Sequence, residues 1–252
     1  MKTKVLFIIL ALISTLGFSQ KKLADKFYKN YAYIKASELY EEAVKKGDSS
    51  EHVLTRLGDC YYNNSNSEKA ALWYGKAVNK YKNIQPEYIY KYIQTQRSLS
   101  NYDEADKWLA KFKELQSEDS RISDVDLEKL KALYDELSST EKVYIELVNL
   151  DINTSYSDFG SYIHNDNMYF ASARNAENAT GKKIYTWNEQ PFLDLYQVLV
   201  TDNEGVKEYG FVNSINAEDV NTDYHEASVA ITNDGQTLYF TRDNVNKRNK
   251  LD

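Results

Sequence analysis

The side chains of this sequence best suited to catalysis or metal binding are its three histidines, His52, His164 and His225. His225 is followed directly by Glu226, as in the zinc-binding pattern His-Glu-x-x-His, but no second histidine completes the pattern. Because a catalytic zinc ion typically takes three protein ligands, we predict no metal site in this chain. We expect His225 to order a turn or to pack at the edge of a sheet.

The sequence also lacks the other common patterns of catalytic and ligand-binding sites. Asn165, Asp166 and Asn167 offer oxygen ligands for calcium, but the Asp-x-Asp-x-Asp-Gly array is missing, so turn formation explains them better. There is no Gly-x-Ser-x-Gly nucleophile elbow and no glycine-rich phosphate loop, and the chain has only 9 glycines. We therefore predict a protein that is not an enzyme and that has no cofactor.

The N-terminus has the composition of a secretory signal peptide. Two lysines precede an apolar run, Val5 to Phe18, and small or polar residues follow it. The run is shorter than the ~20 residues that a helix needs to cross a bilayer, which disfavours a membrane anchor. We predict that residues 1–20 are a signal peptide and that the mature chain is a soluble periplasmic protein. We expect its single cysteine, Cys60, to be a small buried residue.

Charge changes abruptly along the chain. Residues 21–142 carry 21 basic and 21 acidic side chains, whereas residues 143–252 carry 8 and 17. Such a step predicts a domain boundary near residue 142. The acidic second half argues against nucleic acid as a partner, because its phosphates would be repelled, and the excess acid is best explained by the solubility of an exported surface.

A motif of small and aromatic residues recurs along the first half of the mature chain. Its three copies, separated by 34 and then 35 residues, are Leu23, Ala24, Phe27, Ala36, Tyr40 and Ala43; Leu57, Gly58, Tyr61, Ala70, Tyr74 and Ala77; and Ala105, Leu109 and Phe112. Small residues let two antiparallel helices approach, and aromatic residues fill the space between one pair and the next, so the pattern predicts stacked helix pairs. The third copy departs from the pattern at Ile93 and Gln96, and we predict a degenerate, capping repeat.

This pattern resembles the tetratricopeptide repeat (TPR) family, whose period is about 34 residues. The resemblance implies an α-solenoid over residues 21–120, and an apolar stripe predicts a connecting helix over 121–142 with Ser123 as its N-cap. It also implies that the concave face of the solenoid binds segments of other proteins. On this register the face carries Thr55, Asp59, Tyr62, Asn63, Tyr90, Gln94 and Arg97. The Lys/Arg–Asn pairs of TPRs that clamp a C-terminal carboxylate are absent. The two positions of each pair are occupied by Lys21 and Asp25 in the first repeat and by Thr55 and Asp59 in the second.

From Val143 onward the apolar spacing alternates as in β-strands. Two segments, Ser157 to Arg174 and His225 to Arg242, share an acidic start, an Asn-Asp turn and an aromatic second strand. Asn233–Asp234–Gly235 is the best hairpin signal, because Asp-Gly supplies the positive φ angles of a tight turn. Two such units predict successive blades of a β-propeller over residues 143–252.

The segment YHEASVAITNDGQTLYFTRDN resembles the WD40-like (PD40) repeat of TolB-type propellers. SDFGSYIHNDNMYFASAR and WNEQPFLDLYQV are similar to segments of Bacteroidetes OmpA-family envelope proteins, some of which act in type IX secretion. The resemblance implies a multidomain α + β chain, a TPR solenoid followed by about two propeller blades, and covers nearly all of the mature protein. Because a propeller closes with about 4–8 blades, we expect the chain to be the N-terminal part of a longer protein.

The function implied by this resemblance is that of an exported, non-catalytic scaffold at the outer membrane, with envelope or secretion-system proteins as partners. Two alternatives are left open. One is a protein anchored to peptidoglycan through a C-terminal OmpA-like domain that is missing from this sequence. The other is an exported hydrolase with its active site in the propeller.

Overall fold

The computed structural model describes residues 20–121, 126–139, 148–174, 184–215 and 220–243. The predicted signal peptide lies outside these residues, apart from Gln20. The chain divides into a helical unit, Met1–Tyr144 with Thr186–Asn188, and a sheet unit, Ile145–Tyr185 with Glu189–Asp252. None of the helices in the described ranges is both long and apolar enough to cross a bilayer.

The helical unit consists of TPR-like helix pairs. The helices are α1 (20–29), α2 (Tyr33–Lys45), α3 (Glu51–Asn63), α4 (Ser67–Lys80), α5 (Pro86–Ser98), α6 (Tyr102–Leu115) and α7 (Leu127–Ser139). Each helix from α2 to α6 packs against the next one along the chain. The predicted helical repeats are therefore present, as the pairs α1/α2, α3/α4 and α5/α6.

The turn inside each pair has one conformation, which recurs at the repeat interval. Its middle residue is left-handed in all three pairs, with φ of 58° at Tyr31, 56° at Ser65 and 59° at Ser100. The next backbone N–H then donates to a carbonyl in the last turn of the preceding helix, as in Asn66 N–H to Tyr61 O at 2.9 Å. This arrangement satisfies carbonyls that the helix end would otherwise leave without partners.

Small residues allow close helix packing at the positions that the sequence motif predicts. Ala36, Ala70 and Ala105 are fully buried. Gly58 of α3 lies so close to the ring of Tyr74 in α4 that an added Cβ would overlap it. The motif thus marks contacts between the two helices of a pair. The predicted burial of Cys60 is also confirmed.

The third pair forms in spite of its departures from the motif. Ile93 is fully buried in α5, and Gln96 is buried with its side-chain oxygen accepting a hydrogen bond from Asn101 Nδ2 at 2.9 Å. The helix after it begins at Leu127, and Asp126 accepts hydrogen bonds from the first backbone N–H groups, including that of Glu128 at 3.1 Å. The predicted cap Ser123 lies outside the described residues.

The sheet unit contains one antiparallel meander and two hairpins. Its strands are β1 (Asp158–His164), β2 (Asn167–Ser172), β3 (Ile184–Tyr185), β4 (Gln190–Pro191), β5 (Asp194–Asn203), β6 (Val206–Tyr209), β7 (Asn213–Ser214), β8 (Glu226–Ile231) and β9 (Leu238–Arg242). The meander has the order β1-β2-β5-β6, with β7 also paired to β5, and the hairpins are β3–β4 and β8–β9. Over the described ranges these strands do not close into a barrel or propeller.

The two predicted Asn-Asp turns differ in length. His164 pairs with Asn167, so β1 and β2 are joined by a two-residue turn in which Asn165 has a φ of 52°. In the second hairpin Thr232 N–H donates to Thr237 O at 3.0 Å, and only Gly235 has a positive φ, of 71°. The predicted hairpin at Asn233–Asp234–Gly235 is therefore confirmed, but its turn is longer than a two-residue Asp-Gly turn and only the glycine has a positive φ. Six residues separate β8 from β9, and four of them, 233–236, lie between the hydrogen-bonded Thr232 and Thr237.

A polar network stabilises the start of the first hairpin. Thr154 Oγ1 donates to Asp158 Oδ2 at 2.8 Å, and Arg174 Nη2 donates to Asp158 Oδ1 at 3.0 Å. The same nitrogen also donates to the carbonyl oxygen of Ile152 at 2.8 Å. Burial alone would raise the pKa of Asp158, but the hydrogen bonds from Ser172, Thr154 and Arg174 lower it overall.

The same network occurs again at the start of the second hairpin. Thr222 Oγ1 donates to Glu226, Arg242 Nε donates to Glu226 Oε1 at 2.9 Å, and Arg242 Nη2 donates to Val220 O at 2.7 Å. The sequence repeat therefore starts five residues before the segments Ser157 to Arg174 and His225 to Arg242. It also includes INTSYSD (152–158) and VNTDYHE (220–226). The structure thus duplicates both the hairpin and the polar contacts that fix its first strand.

Candidate partner-binding face

The first helices of the three pairs, α1, α3 and α5, are joined through one buried carboxylate. Asp59 of α3 accepts hydrogen bonds from Tyr28 Oη of α1 at 2.8 Å and from Lys91 Nζ of α5 at 2.6 Å. Tyr74 Oη of α4 also donates to Asp59, at 2.8 Å. We call the surface of α1, α3 and α5 the first-helix face. Because Asp59 joins all three helices, the face is a single connected surface.

Positive charge exceeds negative charge around Asp59. Arg56 Nη1 lies 3.5 Å from Asp59 Oδ2, and its guanidinium lies 4.2 Å from the ring centre of Tyr28. Together with Lys91, Arg56 gives two cations against one carboxylate. Burial raises the pKa of Tyr28 and of Tyr74, and the charge of Asp59 raises both further. Both hydroxyl groups therefore remain protonated donors and add no negative charge.

A second carboxylate makes a similar set of contacts at the equivalent position of the first repeat. Asp25 of α1 accepts a hydrogen bond from Tyr40 Oη of α2 and lies 2.6 Å from His52 Nε2 of α3. Burial alone would raise the pKa of Asp25, but hydrogen bonds from Tyr40 and His52 and the nearby positive charges lower it overall. An aspartate–tyrosine pair thus belongs to each of the first two repeats.

The predicted binding residues of α3 fall into a buried group and a more accessible one. Thr55 and Asp59 are buried, and Thr55 Oγ1 donates to the carbonyl oxygen of Glu51 within the helix. Tyr62 is 37% exposed, and Lys91 Nζ lies 5.8 Å from its ring centre. Tyr62 and Lys91 are therefore the pair that borders the accessible side of the Asp59 contacts.

Asn63, at the end of α3, is held by contacts inside the helical unit. Its Nδ2 donates to the backbone oxygen of Asp59 at 2.8 Å. Its carbonyl oxygen accepts a hydrogen bond at 3.1 Å from the indole of Trp187, which belongs to the helical unit. The Trp187 ring also stacks on Tyr31, with ring centres 6.0 Å apart, and meets Tyr33 edge-on at 4.8 Å.

The predicted binding residues of α5 are half-buried. The Tyr90 ring packs against Phe112 with ring centres 5.7 Å apart, and the Arg121 guanidinium lies 4.0 Å from the Tyr90 ring centre. Arg97 lies near Tyr134 of α7. Burial raises the pKa of Tyr134, and the positive charge of Arg97 reduces that rise. Tyr90 and Arg97 thus contact the elements that follow α5, and Gln94 lies between them on the helix.

The structure therefore brings together only part of the predicted set. Lys91 contacts both Asp59 and Tyr62. The predicted binding residues of α5, by contrast, make separate contacts. Sequence reasoning missed Tyr28, Arg56 and Lys91 as members of this face. The recurrence of an aspartate at 25 and 59 with a tyrosine at 40 and 74 is a visible signal for a paired contact. Lys91 also has a visible signal, because the basic residue Arg56 precedes it by the 35-residue interval and Lys22 precedes Arg56 by 34 residues.

The face contains one histidine and several carboxylates, and its polar side chains contact each other. Among the described residues, no three His, Cys, Asp or Glu side chains are grouped as metal ligands would be. The nearest histidine, His52, is engaged with the carboxylate of Asp25.

The sheet unit places His225 against aromatic rings. Its Nδ1 accepts a hydrogen bond from Leu193 N–H at 3.0 Å, and its ring centre lies 4.6 Å from those of Tyr185 and Phe192. Burial lowers the pKa of His225, although the charges of Asp243 and Glu226 oppose this. His225 directly precedes β8 and makes these contacts there, in agreement with the expectation that it orders a turn or packs at the edge of a sheet.

Comparisons with known proteins found similarity at the level of structure. No protein-family model matches the chain, and no curated protein sequence is significantly similar to it. The first TPR of Spaghetti (RPAP3), solved with the HSP90 peptide SRMEEVD, is 16% identical, covers 49% of this chain and 94% of its own, and has a TM-score of 0.39. The N-terminal domain of stress-induced protein-1 from C. elegans is 15% identical, with 49% and 97% covered and a TM-score of 0.36. Yeast Tom70 is 15% identical, with 50% and 24% covered and a TM-score of 0.38.

Proposed function

We propose that this chain is a protein-binding scaffold whose first-helix face holds a segment of a partner protein. The observation that carries the proposal is the set of hydrogen bonds by which Asp59 joins α1, α3 and α5. These bonds order the face before any partner arrives, and a preorganised surface loses less conformational entropy on binding. Tyr62 lies partly exposed at the edge of this ordered region and offers an aromatic anchor.

The charge of the face favours a partner segment that carries a carboxylate. Arg56 and Lys91 face the single carboxylate of Asp59, so one positive charge is left over in a half-buried position. A carboxylate of the partner next to Tyr62 would complete the charge balance at Lys91. Charge complementarity of this kind contributes mainly to the specificity and the rate of association.

The proposal includes an envelope location. It is supported by the signal-peptide composition of residues 1–20 and by the resemblance to OmpA-family envelope proteins, some of them associated with type IX secretion. We further propose that the sheet unit is part of a WD40-like propeller. In the five-stranded sheet, β1, β2, β5 and β6 follow one another in the antiparallel order of a blade, and the duplicated network at Glu226 supports β8–β9 as the start of another.

Site-specific crosslinking in cells tests the binding face. A photo-crosslinking amino acid replaces Tyr62, and the matched control replaces Leu72, which is 50% exposed on α4. We expect a partner protein to crosslink from position 62 and not from 72, and we expect Lys91→Glu to abolish that crosslink. Equal crosslinking from both positions, or a crosslink that survives Lys91→Glu, would contradict the proposed face. Fractionation of the same cells checks the envelope location separately.

A further inference from the structure

The helix pairs carry all of their excess positive charge on their first helices. Helices α1, α3 and α5 together contain 7 basic and 4 acidic side chains, whereas α2, α4 and α6 together contain 8 of each. A surface with one excess sign of charge raises the local concentration of partners of the opposite sign. The first-helix face therefore favours an anionic partner, and the second helices have no such preference.

Three of the basic residues occupy the same position of successive repeats. Lys22, Arg56 and Lys91 are separated by 34 and 35 residues and belong to α1, α3 and α5. We call these three residues the basic column. Because successive repeats stack side by side, the basic column crosses the first-helix face with one cation on each helix.

The basic column alternates with tyrosine rings. The Arg56 guanidinium lies 4.2 Å from the ring centre of Tyr28 on α1, and Lys91 Nζ lies 5.8 Å from the ring centre of Tyr62 on α3. Tyr28 and Tyr62 are themselves 34 residues apart. Each cation thus reaches back to the tyrosine of the preceding repeat. A partner that crosses the face meets the same pair of groups, a cation and an aromatic ring, at both junctions.

The residues of the basic column are accessible to a partner. Lys22 is exposed, and the side chains of Arg56 and Lys91 keep 33% and 24% of their exposure. Asp59 is shared by Arg56 and Lys91, so its one negative charge balances only one of the two cations. Because this region is partly removed from water, an ion pair formed with a partner is stronger there than on a fully solvated surface.

The spacing of the basic column specifies the form of the partner. The axes of packed helices lie about 8–10 Å apart, and an extended chain rises about 3.3 Å per residue. A carboxylate at every third residue of an extended segment therefore meets one cation per repeat. A helical segment rises about 1.5 Å per residue and needs about seven residues for the same step. The extended segment reaches all three cations with fewer ordered residues and so loses less conformational entropy.

We infer that the first-helix face binds an extended segment of a partner protein in which carboxylate side chains recur at every third residue. The carboxylates belong to side chains within the segment, so recognition does not require a free C-terminus. The inference rests on the proposed binding role of the first-helix face and specifies the chemistry of the segment that this face holds.

Fluorescence anisotropy with synthetic peptides and the full chain tests the inference. Three labelled, C-terminally amidated peptides of about 15 residues have one composition with three glutamates each. The glutamates are three residues apart in the first peptide, seven residues apart in the second and adjacent in the third. We expect the first peptide to bind at least about tenfold more tightly than the other two. Its free-acid form should bind as tightly as the amide.

Variants of the basic column identify the surface that the peptide contacts. Lys22→Glu and Lys91→Gln should each weaken binding of the first peptide by about fivefold or more, because each removes an ion pair. Lys76→Glu is the matched control, since Lys76 is an exposed cation on α4, and its affinity should stay within about twofold of the parent chain. Circular dichroism checks the fold of each variant, and Lys22→Glu leaves the contacts of Asp59 intact.

Equal affinity for the three peptides, or no binding of the first peptide below about 1 mM, would overturn the inference. So would tighter binding of the free acid than of the amide, or unchanged binding by Lys22→Glu. A single-stranded oligothymidine of equal charge that binds as tightly as the first peptide would show a response to charge alone and would also overturn it. Each of these results leaves the crosslink from Tyr62 as it is, whereas loss of that crosslink contradicts the proposed function itself.

Discussion

The hydroxyl group of Tyr74 donates a 2.8 Å hydrogen bond to Asp59 Oδ1, and Tyr40 makes the same contact with Asp25 in the preceding repeat. Each bond joins the second helix of a pair to the first. The third pair has Leu109 at the tyrosine position and makes its contact through apolar packing. A hydrogen bond between aspartate and tyrosine therefore joins the two helices of a pair only in the first two repeats, whose first helices carry the aspartate.

We expect Tyr74→Phe to destabilise the chain by about 1–3 kcal/mol, because it removes a donor from a buried carboxylate. Urea unfolding followed by circular dichroism measures the change. Tyr239→Phe is the control, since Tyr239 is 62% exposed, and its effect should stay within about 0.5 kcal/mol. A loss for Tyr74→Phe no larger than that of the control would contradict the role of the hydrogen bond.

The stability of the helical unit should fall in acid partly because of Asp25. Its pKa is lower in the folded chain than the ordinary value of 3.8, so the folded state binds fewer protons at this carboxyl group. The stabilising contribution is therefore complete above the unfolded pKa, and it is lost as the pH falls through the lower folded pKa.

Urea unfolding at intervals from about pH 6 to about pH 2 measures this dependence. We expect Asp25→Asn to lower stability at the upper end of this range and to weaken the dependence on pH at its lower end. An unchanged acid dependence in Asp25→Asn would show that Asp25 contributes nothing to it.

We expect Ser65→Gly to stabilise the chain by up to about 1 kcal/mol. Ser65 has a φ of 56°, a left-handed conformation that costs a residue with a Cβ about 1–2 kcal/mol and costs glycine little. The greater freedom of glycine in the unfolded chain offsets part of this gain. Thermal unfolding should show a higher Tm.

The control for this change is Ala110→Gly, which places glycine at an exposed position inside α6. It should destabilise the chain by about 1 kcal/mol. A lower Tm for both variants would show that the turn at Ser65 is not strained.

We expect Arg242→Met to destabilise the sheet unit by about 3 kcal/mol, because Glu226 is fully buried and would lose its charged partner. The double variant Glu226→Gln with Arg242→Met removes both charges and should recover part of the loss. Urea unfolding followed by tyrosine and tryptophan fluorescence measures both. A double variant less stable than Arg242→Met alone would contradict the role of charge burial.

The helix pairs could be predicted from sequence because close packing requires small residues at fixed positions. Ala36 and Ala70 occupy equivalent positions of successive repeats, and both are fully buried where two helices approach. The orientation of polar residues could not be predicted in the same way. The repeat register places Thr55 and Asp59 on a partner-binding surface, yet both are buried. Asp59 is buried because it finds donors on three other helices that are distant in sequence.

The duplication in the sheet unit is only partly visible in the sequence. Asp158 aligns with Glu226 and Ile163 with Ile231, but the second strands of the two hairpins do not keep the same interval. The loop after Thr232 is two residues longer than the turn after His164, so strand register is needed to match the aromatic residues. Direct alignment of the letters could not supply that register.

The close approach of Gly58 to Tyr74 constrains how this repeat can evolve. An added Cβ at position 58 would displace the ring in this repeat, whereas the first repeat pairs Ala24 with Tyr40 at the same positions and buries both. The next repeat records such a coupled change, since Ile93 and Leu109 stand at the corresponding places, and both are buried. Volume added on the first helix has been compensated by volume removed from the second. One chain thus carries three residue pairs at these positions, and a sequence survey should find large residues at the first position accompanied by smaller ones at the second.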